Sequence, residues 1–256
     1  MEPVEFAAKD GLTIRGYLTR PVGVEAKNLP AVLLVHGGPW ARDSWGYNPM
    51  AQWLANRGYA VLQVNYRGST GYGREYMLKL RGNWGLHDVE DCRSGALYLA
   101  ERELVDPTKR VIMGGSAGGF TVLQSLVTLP GFYTAGICLF GVSNQFTLAA
   151  DTHKFEARYL DTMLGPLPEA AQVYRERSPI FFADRIVDPI AVFQGDIDRV
   201  VPRAQSDEIV ESLKRRGVPH EYHVYQGEGH GWRRSDTIES FHQSVERFLR
   251  QYVVFA

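Results

Sequence analysis

Residues 110–119 read Arg-Val-Ile-Met-Gly-Gly-Ser-Ala-Gly-Gly, and this stretch decides the fold. A short apolar strand, Arg110–Met113, leads into the pattern Gly-x-Ser-x-Gly around Ser116, and a helical pattern, Gly118–Leu129, follows. This order is typical of a nucleophile elbow, in which a tight turn raises the serine hydroxyl above a sheet. The turn also leaves the Ala117 N–H at a helix N-terminus, where a developing oxyanion is stabilised. The alternatives are an ordinary glycine-rich turn and a phosphate loop, but the Gly-x-x-x-x-Gly-Lys-[Ser/Thr] pattern of a phosphate loop is absent.

On both sides of the elbow, short apolar strands alternate with amphipathic helical patterns. This alternation predicts a mostly parallel sheet with helices on both faces. At the start of the chain, Val4–Ala8 and Leu12–Leu18 flank Asp10-Gly11, which predicts an N-terminal β-hairpin at one edge. The alternation breaks in residues 142–185, an aromatic-bearing insert that is interpreted either as a pocket-lining segment or as a surface excursion without a role. We expect one α/β domain over residues 1–256.

The composition limits the classes of partner. The chain has 256 residues with 28 Lys+Arg against 29 Asp+Glu, a formal net charge of -1 that favours neither nucleic acid nor a membrane surface as a partner. Apolar runs fall far short of the roughly 20 residues that span a bilayer, and no secretory signal is visible. We therefore expect a soluble, cytoplasmic protein. Its two cysteines, Cys92 and Cys138, are expected to be reduced, packed thiols.

A serine nucleophile needs a base, and seven histidines are available. His230 lies in a glycine-rich loop just after the strand Glu221–Tyr225, and loops at the carboxyl ends of parallel strands are where active sites gather. Structural or surface roles are favoured for three others, His220, His223 and His242. His153 falls in the insert, where contact with substrate stays open.

The base in turn needs an orienting carboxylate between the serine and the histidine in chain order. Asp196 and Asp198 both follow the strand Ile190–Gln194, and spacing alone leaves both open. Earlier in the chain, His36-Gly37-Gly38-Pro39 follows the strand Ala31–Val35, the place where this chemistry takes its second oxyanion donor. A metal-binding loop is disfavoured there, because no second ligand lies at ligand spacing.

These motifs together resemble the catalytic domain of the prolyl oligopeptidase family of serine peptidases, most closely its acylaminoacyl-peptidase branch. The resemblance runs over nearly the whole chain. The stretches that carry it, in chain order, are Asp10-Gly11-Leu12 with His36–Pro39, Asn65–Gly73, Gly114–Gly119, Gly195–Pro202 and Gly229-His230-Gly231. It implies an α/β-hydrolase fold and hydrolysis through an acyl-enzyme, with no metal or cofactor.

The resemblance also implies a role for each matching residue in the reaction. Ser116 would be the nucleophile and His230 the general base, and Asp198 is favoured over Asp196 as the residue that orients the base. The backbone N–H groups of Gly38 and Ala117 would form the oxyanion hole. His36 would brace the loop that carries Gly38 rather than transfer protons.

Substrate-binding residues are implied less directly. Tyr66 and Arg67 would shape a wall of the site. Many relatives carry an arginine two residues after the catalytic aspartate, whereas here that position is Val200 and the arginine is Arg199. The aromatic residues of the insert that match the family's specificity pocket are Phe146, Phe155 and Tyr159, with core packing as the alternative.

Relatives also carry an N-terminal β-propeller that shields the site, and this sequence begins almost where their hydrolase domain begins, so the propeller is expected to be absent. The leading hypothesis is a peptidase acting on short or N-acylated peptides. A carboxylesterase acting on small esters is the first alternative, because an open site with the same triad cleaves esters readily. A catalytically inactive binding module is the second. The expected partner is a small peptide or ester, and a homo-oligomer stays open.

Overall fold

A computed structural model describes residues 1–25, 27–151 and 159–255 of the chain. These described residues contain one eight-stranded sheet with the strand order β1-β2-β4-β3-β5-β6-β7-β8. The strands are β1 (Glu2–Ala7), β2 (Thr13–Thr19), β3 (Leu29–Val35), β4 (Ala60–Asn65), β5 (Val105–Gly115), β6 (Ala135–Leu139), β7 (Ile190–Gly195) and β8 (His220–Tyr225).

The strand directions confirm the predicted α/β-hydrolase architecture. Strand β1 pairs with β2 in an antiparallel hairpin, β2 pairs antiparallel with β4, and every later pairing is parallel. At the hairpin turn, Gly11 has a φ of 82°, a left-handed conformation that glycine adopts without steric strain. Its N–H donates to the Ala8 carbonyl over 2.8 Å, and this bond closes the turn.

Helices cover the sheet and fill the insert. The helical segments are α1 (Pro49–Ala55), α2 (Arg74–Leu78), α3 (His87–Glu101), α4 (Ala117–Thr128), α5 (Gln145–Asp151), α6 (Tyr159–Leu164), α7 (Ala171–Glu176), a 3₁₀ helix (Pro179–Arg185), α8 (Ala204–Arg216), α9 (Ser235–Leu249) and a terminal π-helical turn (Arg250–Val254). The segment that breaks the alternation in the sequence therefore consists, in its described part, of short helices joined by turns.

Two hydrophobic clusters lie on opposite faces of the sheet. Successive strand residues point to opposite faces, so Leu33 packs in one cluster with Phe120 of α4, while its neighbour Val32 packs in the other. The second cluster also contains Leu54 of α1 and Phe248 of α9. Because both faces are buried, the central strands read as continuous apolar runs, and the carboxyl edge of the sheet is held rigidly for the site above it.

Two further findings concern the described residues. Cys92 and Cys138 are free thiols and both are buried, as the sequence predicts. No helix in the described ranges combines the length and the apolar character that crossing a membrane requires.

Candidate active site

The serine elbow lies at the junction of β5 and α4. Ser116 has φ 56° and ψ -122°, a conformation that non-glycine residues rarely adopt and that surrounding structure must impose. Its N–H donates to the Leu139 carbonyl of the neighbouring strand over 3.0 Å, and its carbonyl accepts the Phe120 N–H over 2.9 Å. The strained residue is thus anchored on both sides, to the sheet and to the first turn of α4.

The flanking glycines are required because backbone packs directly on backbone. A Cβ on Gly114 would lie 2.7 Å from the Gly118 carbonyl carbon and 2.8 Å from the Val35 oxygen. A Cβ on Gly118 would meet the Val35 oxygen and would lie 2.9 Å from the His36 oxygen. No side chain fits these spaces, which is the physical reason for the Gly-x-Ser-x-Gly pattern.

His230 and Asp198 meet above the ends of β7 and β8. The Asp198 carboxylate is fully buried, and its Oδ2 lies 2.8 Å from His230 Nδ1. Its Oδ1 accepts the N–H groups of Val200 and Val201 over 2.8 and 2.9 Å. A carboxylate only accepts, so Nδ1 carries the imidazole proton, and Nε2 of the neutral ring is left as a proton acceptor.

The structure separates the two aspartates that sequence spacing left open. Asp196 accepts the Gly227 N–H over 2.7 Å and holds the loop, whereas Asp198 contacts His230. The two loops approach closely because Gly195 has no side chain, since a Cβ there would meet the Glu228 and Gly229 backbone. The Phe140 ring supports the imidazole from the side, with centroids 4.5 Å apart.

The loop after β3 lies against the elbow. A Cβ on Gly37 would lie 3.3 Å from the Gly115 oxygen and 3.6 Å from the Ser116 Cβ, so this loop packs beside the serine. Gly38 has a φ of 120°, and a Cβ there would lie 2.9 Å from the Trp40 nitrogen. Ala117 is the first residue of α4, where helix N–H groups have no intrahelical partner. Gly38, Ala117 and Ser116 line one cavity.

His36 and Tyr66 hold this loop from behind. The His36 Nδ1 lies 2.7 Å from the Gly37 oxygen, and its Nε2 lies 2.7 Å from Ser69 Oγ. The Tyr66 ring stacks on the imidazole at 4.4 Å, and its hydroxyl donates to the His36 carbonyl over 3.2 Å. Burial lowers the pKa of His36, so the ring is neutral at pH 7. Both side chains therefore contact the loop itself, and neither lines the cavity that holds Ser116 and Gly38.

That cavity, called here the first cavity, has a volume of about 560 Å³. Its described walls are mostly aromatic and aliphatic. Trp40 and Tyr159 pack edge to face at 5.3 Å, and Trp84 packs on Phe120 at 4.5 Å. The described residues that line it are Gly38, Trp40, Trp84, Ser116, Ala117, Val142, Leu148, Tyr159, Leu160, Val200, Val201 and His230.

A second cavity of about 430 Å³ also borders the serine. Ser116 and His230 line both cavities, and among the described residues they are the two that do so. The second cavity reaches down to the ends of β3 and β5, and its wall includes His36, Asp43 and Phe140.

Arg67 lies elsewhere than the resemblance implied. Its buried guanidinium donates to Asp10 over 2.7 and 2.9 Å and to Asp91 over 2.8 Å, and it lines neither cavity. Burial raises the pKa of Asp91 to about 6, and the hydrogen bond from Arg67 opposes that rise. The arginine thus ties the hairpin turn to α3, a structural role that replaces the expected wall position.

Of the other residues expected to contact substrate, some line the first cavity and some do not. Tyr159 lines the first cavity. Phe146 does not: it packs on Tyr174 at 5.5 Å, so the core-packing alternative describes it. Arg199 is exposed and lines neither cavity. Its neighbours Val200 and Val201 line the first cavity instead. Phe155 lies outside the described residues.

Sequence reasoning missed Trp40 and Trp84. Trp40 directly follows His36–Pro39, and its place beside the loop that carries Gly38 was a usable signal. Trp84 reaches the first cavity from the segment between α2 and α3, which no local pattern revealed.

Three of the remaining histidines make local contacts. His220 Nδ1 lies 2.7 Å from the Val218 carbonyl, His223 Nε2 lies 2.8 Å from Glu221, and His242 Nδ1 lies 2.7 Å from the Ile238 carbonyl. His153 lies outside the described residues. In the part of the chain that the structure describes, no three His, Cys, Asp or Glu side chains come together in a way that could hold a metal ion.

Comparison with known proteins places the chain in a family. The family model for the prolyl oligopeptidase family matches residues 45–254. Dipeptidyl aminopeptidase BIII of Pseudoxanthomonas mexicana is 38% identical over 261 residues, which cover 97% of this chain and 38% of that protein. The acylamino-acid-releasing enzyme of Sus scrofa is 33% identical over 226 residues, which cover 85% of this chain and 30% of that protein.

Solved structures agree. The crystal structure of puromycin hydrolase superimposes with a TM-score of 0.94 at 38% identity, covering 98% of this chain and 39% of that one. The chain thus spans about two fifths or less of the length of these relatives. The resemblance drawn from the motifs is confirmed, and the chain belongs to the prolyl oligopeptidase family.

Proposed function

We propose that this chain is the catalytic domain of a serine peptidase that cleaves short or N-acylated peptides through an acyl-enzyme. One observation carries the proposal: His230 bonds Asp198 through Nδ1 and lines, with Ser116, both cavities at the elbow. A nucleophile, a base and an orienting carboxylate on three loops at one sheet edge support acyl transfer.

In the proposed first step, His230 Nε2 takes the Ser116 hydroxyl proton while Oγ attacks the carbonyl carbon of the substrate. Negative charge then develops on the carbonyl oxygen, and the N–H groups of Gly38 and Ala117 stabilise it. Each such donor contributes about 10²–10³-fold in rate. The Asp198 carboxylate holds the imidazole tautomer and stabilises the imidazolium that forms.

The imidazolium then gives its proton to the leaving nitrogen, and the C–N bond breaks. Water attacks the acyl-enzyme in the second half of the reaction, with His230 again acting as base. The aromatic and aliphatic walls of the first cavity suit an apolar acyl side chain, since they offer area for burial. The printed names of the relatives, a dipeptidyl aminopeptidase and an acylamino-acid-releasing enzyme, support a peptide substrate.

Covalent labelling tests the proposed nucleophile. A fluorophosphonate probe is expected to label the wild-type chain, and Ser116→Ala is expected to abolish labelling. Ser44→Ala is a matched control, because Ser44 is exposed on the loop between β3 and α1 and lines neither cavity. Persistent labelling of Ser116→Ala would overturn the assignment, and an unlabelled, folded wild type would favour an inactive binding module.

A substrate panel tests the proposed peptide preference. We expect measurable kcat/KM on acyl-aminoacyl p-nitroanilides, with N-acylated and free-amine versions compared side by side. The p-nitrophenyl esters of the same acyl groups measure esterase activity. Turnover of the esters with none of the anilides would replace the peptidase proposal with a carboxylesterase.

A further inference from the structure

Ser116 and His230 divide the site into two compartments. A substrate carbonyl attacked by Ser116 would direct its oxygen towards Gly38 and Ala117, and both line the first cavity alone. The first cavity therefore suits the acyl part of the substrate. The leaving group must face His230 to be protonated, and the second cavity is the compartment that remains for it. This assignment rests on the proposed function.

Asp43 gives the second cavity its chemical character. Among the described residues that line that cavity, Asp43 is the one with a carboxylate, and no Lys or Arg side chain of the described chain forms an ion pair with it within 4.0 Å. Its side chain accepts a hydrogen bond from Gln63, which leaves further lone pairs for a ligand.

The backbone of Asp43 is held in a fixed position. Its N–H donates to Asn65 Oδ1 over 2.8 Å, and its carbonyl accepts from Asn65 Nδ2 over 3.0 Å. Asn65 is fully buried at the end of β4 and also donates to the Tyr72 hydroxyl over 2.8 Å. A buried side chain thus clamps both polar backbone groups of Asp43, so the residue that carries the carboxylate has a fixed place at the cavity wall.

Burial disfavours the charged form of this carboxylate and raises the pKa of Asp43. His36 lies on the wall of the same cavity, and burial keeps its ring neutral at pH 7. A cation that pairs with Asp43 would therefore stabilise the charged carboxylate. The rest of the described wall is formed by His230, Asn48 and apolar side chains such as Met50 and Phe140.

We propose that Asp43 binds a cationic side chain on the leaving-group side, so that peptides with Arg or Lys directly after the cleaved bond are preferred. A charge-assisted hydrogen bond from a guanidinium or ammonium would satisfy the free lone pairs of the carboxylate. Asp43 takes no part in bond making or breaking. Its role is to select the leaving group, while the first cavity selects the acyl group.

Matched peptides test the proposal. Two substrates share one acyl part and differ only in Arg or citrulline after the cleaved bond, a pair of similar shape in which only arginine is charged. We expect wild-type kcat/KM to be about tenfold higher for the arginine peptide, which corresponds to about 1.4 kcal/mol. In Asp43→Asn and in Asp43→Ala the ratio is expected to fall to about one.

The controls separate this proposal from the proposed function. Glu211→Gln changes an exposed carboxylate of α8 that lines neither cavity, and it should keep the tenfold ratio. A p-nitroanilide has no residue after the cleaved bond, so failure of the wild type on it would reject the proposed function itself. Anilide turnover with equal rates on both peptides, or a tenfold ratio that survives in Asp43→Asn, would overturn the role of Asp43. The kcat/KM values for the two peptides are compared within one variant. A lower fraction of folded enzyme therefore reduces both values equally and leaves their ratio unchanged.

Discussion

Replacement of Gly38 by alanine tests the proposed oxyanion hole directly. The residue has a φ of 120°, and an added Cβ would lie 2.9 Å from the Trp40 nitrogen and 3.0 Å from the Ala41 nitrogen. These atoms belong to the backbone, so they move only if the loop moves. Holding an alanine in such a conformation costs about 1–3 kcal/mol. We expect the loop to shift and the Gly38 N–H to lose the position proposed for it as an oxyanion donor.

The expected loss is that of one oxyanion donor, about 10²–10³-fold in kcat, or about 2.7–4 kcal/mol of transition-state stabilisation. KM should change little, because the donor acts on charge that develops in the transition state. The assay is steady-state hydrolysis of an acyl-aminoacyl p-nitroanilide, with the melting temperature measured in parallel. Each 1 kcal/mol of residual strain should lower Tm by about 2–4 °C.

Gly46→Ala is the matched control for this substitution. It lies in the same loop region, and a Cβ there would meet no heavy atom within 4 Å. Its kcat should stay within about twofold of wild type, the range expected of a surface substitution. A folded Gly38→Ala enzyme with kcat within about threefold of wild type would refute the reasoning.

Three further predictions follow from the same contacts. Tyr66→Phe removes the hydroxyl that holds the loop carrying Gly38, and it should lower kcat about tenfold with KM unchanged in the same anilide assay. An unchanged kcat would show that stacking of the Tyr66 ring on His36 is enough to hold the loop. Asp198→Asn should lower kcat about 10³–10⁴-fold while Asp196→Asn stays near wild type, and equal losses would contradict the geometry. Burial raises the pKa of Asp88 from 3.8 to about 6, so the folded state holds this proton more tightly than the unfolded state. The raised pKa adds to the free energy of unfolding in full below about pH 4, and this contribution is lost as pH rises through 6. Denaturant unfolding between pH 4 and 7 should therefore show the wild type losing stability relative to Asp88→Asn. A difference in unfolding free energy that stays constant over this range would contradict the shift.

The sequence was most informative where local chemistry determines local structure. The Asp10-Gly11 hairpin and the Gly-x-Ser-x-Gly elbow follow from backbone sterics, which glycine alone relieves. The parallel sheet follows from apolar runs separated by helical patterns. His230 was identifiable because active-site loops gather at one edge of a parallel sheet.

The sequence did not reveal which way individual side chains point or which partners they reach. Asp196 and Asp198 are two residues apart, and only the fold shows that the first holds Gly227 and the second holds His230. Arg67 matched a wall position by motif, yet the buried Asp91 and the exposed Asp10 hold its guanidinium away from the site. Asp43 went unnoticed because its place at the wall of the second cavity depends on residues such as Asn65, which is distant in sequence and adjacent in space.

The central claim is that Ser116 carries an acyl group during turnover, and a pre-steady-state measurement tests it most directly. Rapid mixing of the enzyme with a p-nitrophenyl ester should release a burst of about one p-nitrophenol per chain, wherever deacylation is slower than acylation. Mass spectrometry of the quenched burst should place the acyl group on the peptide that contains Ser116. An acyl group found on another residue, or a burst that persists in Ser116→Ala, would contradict the account.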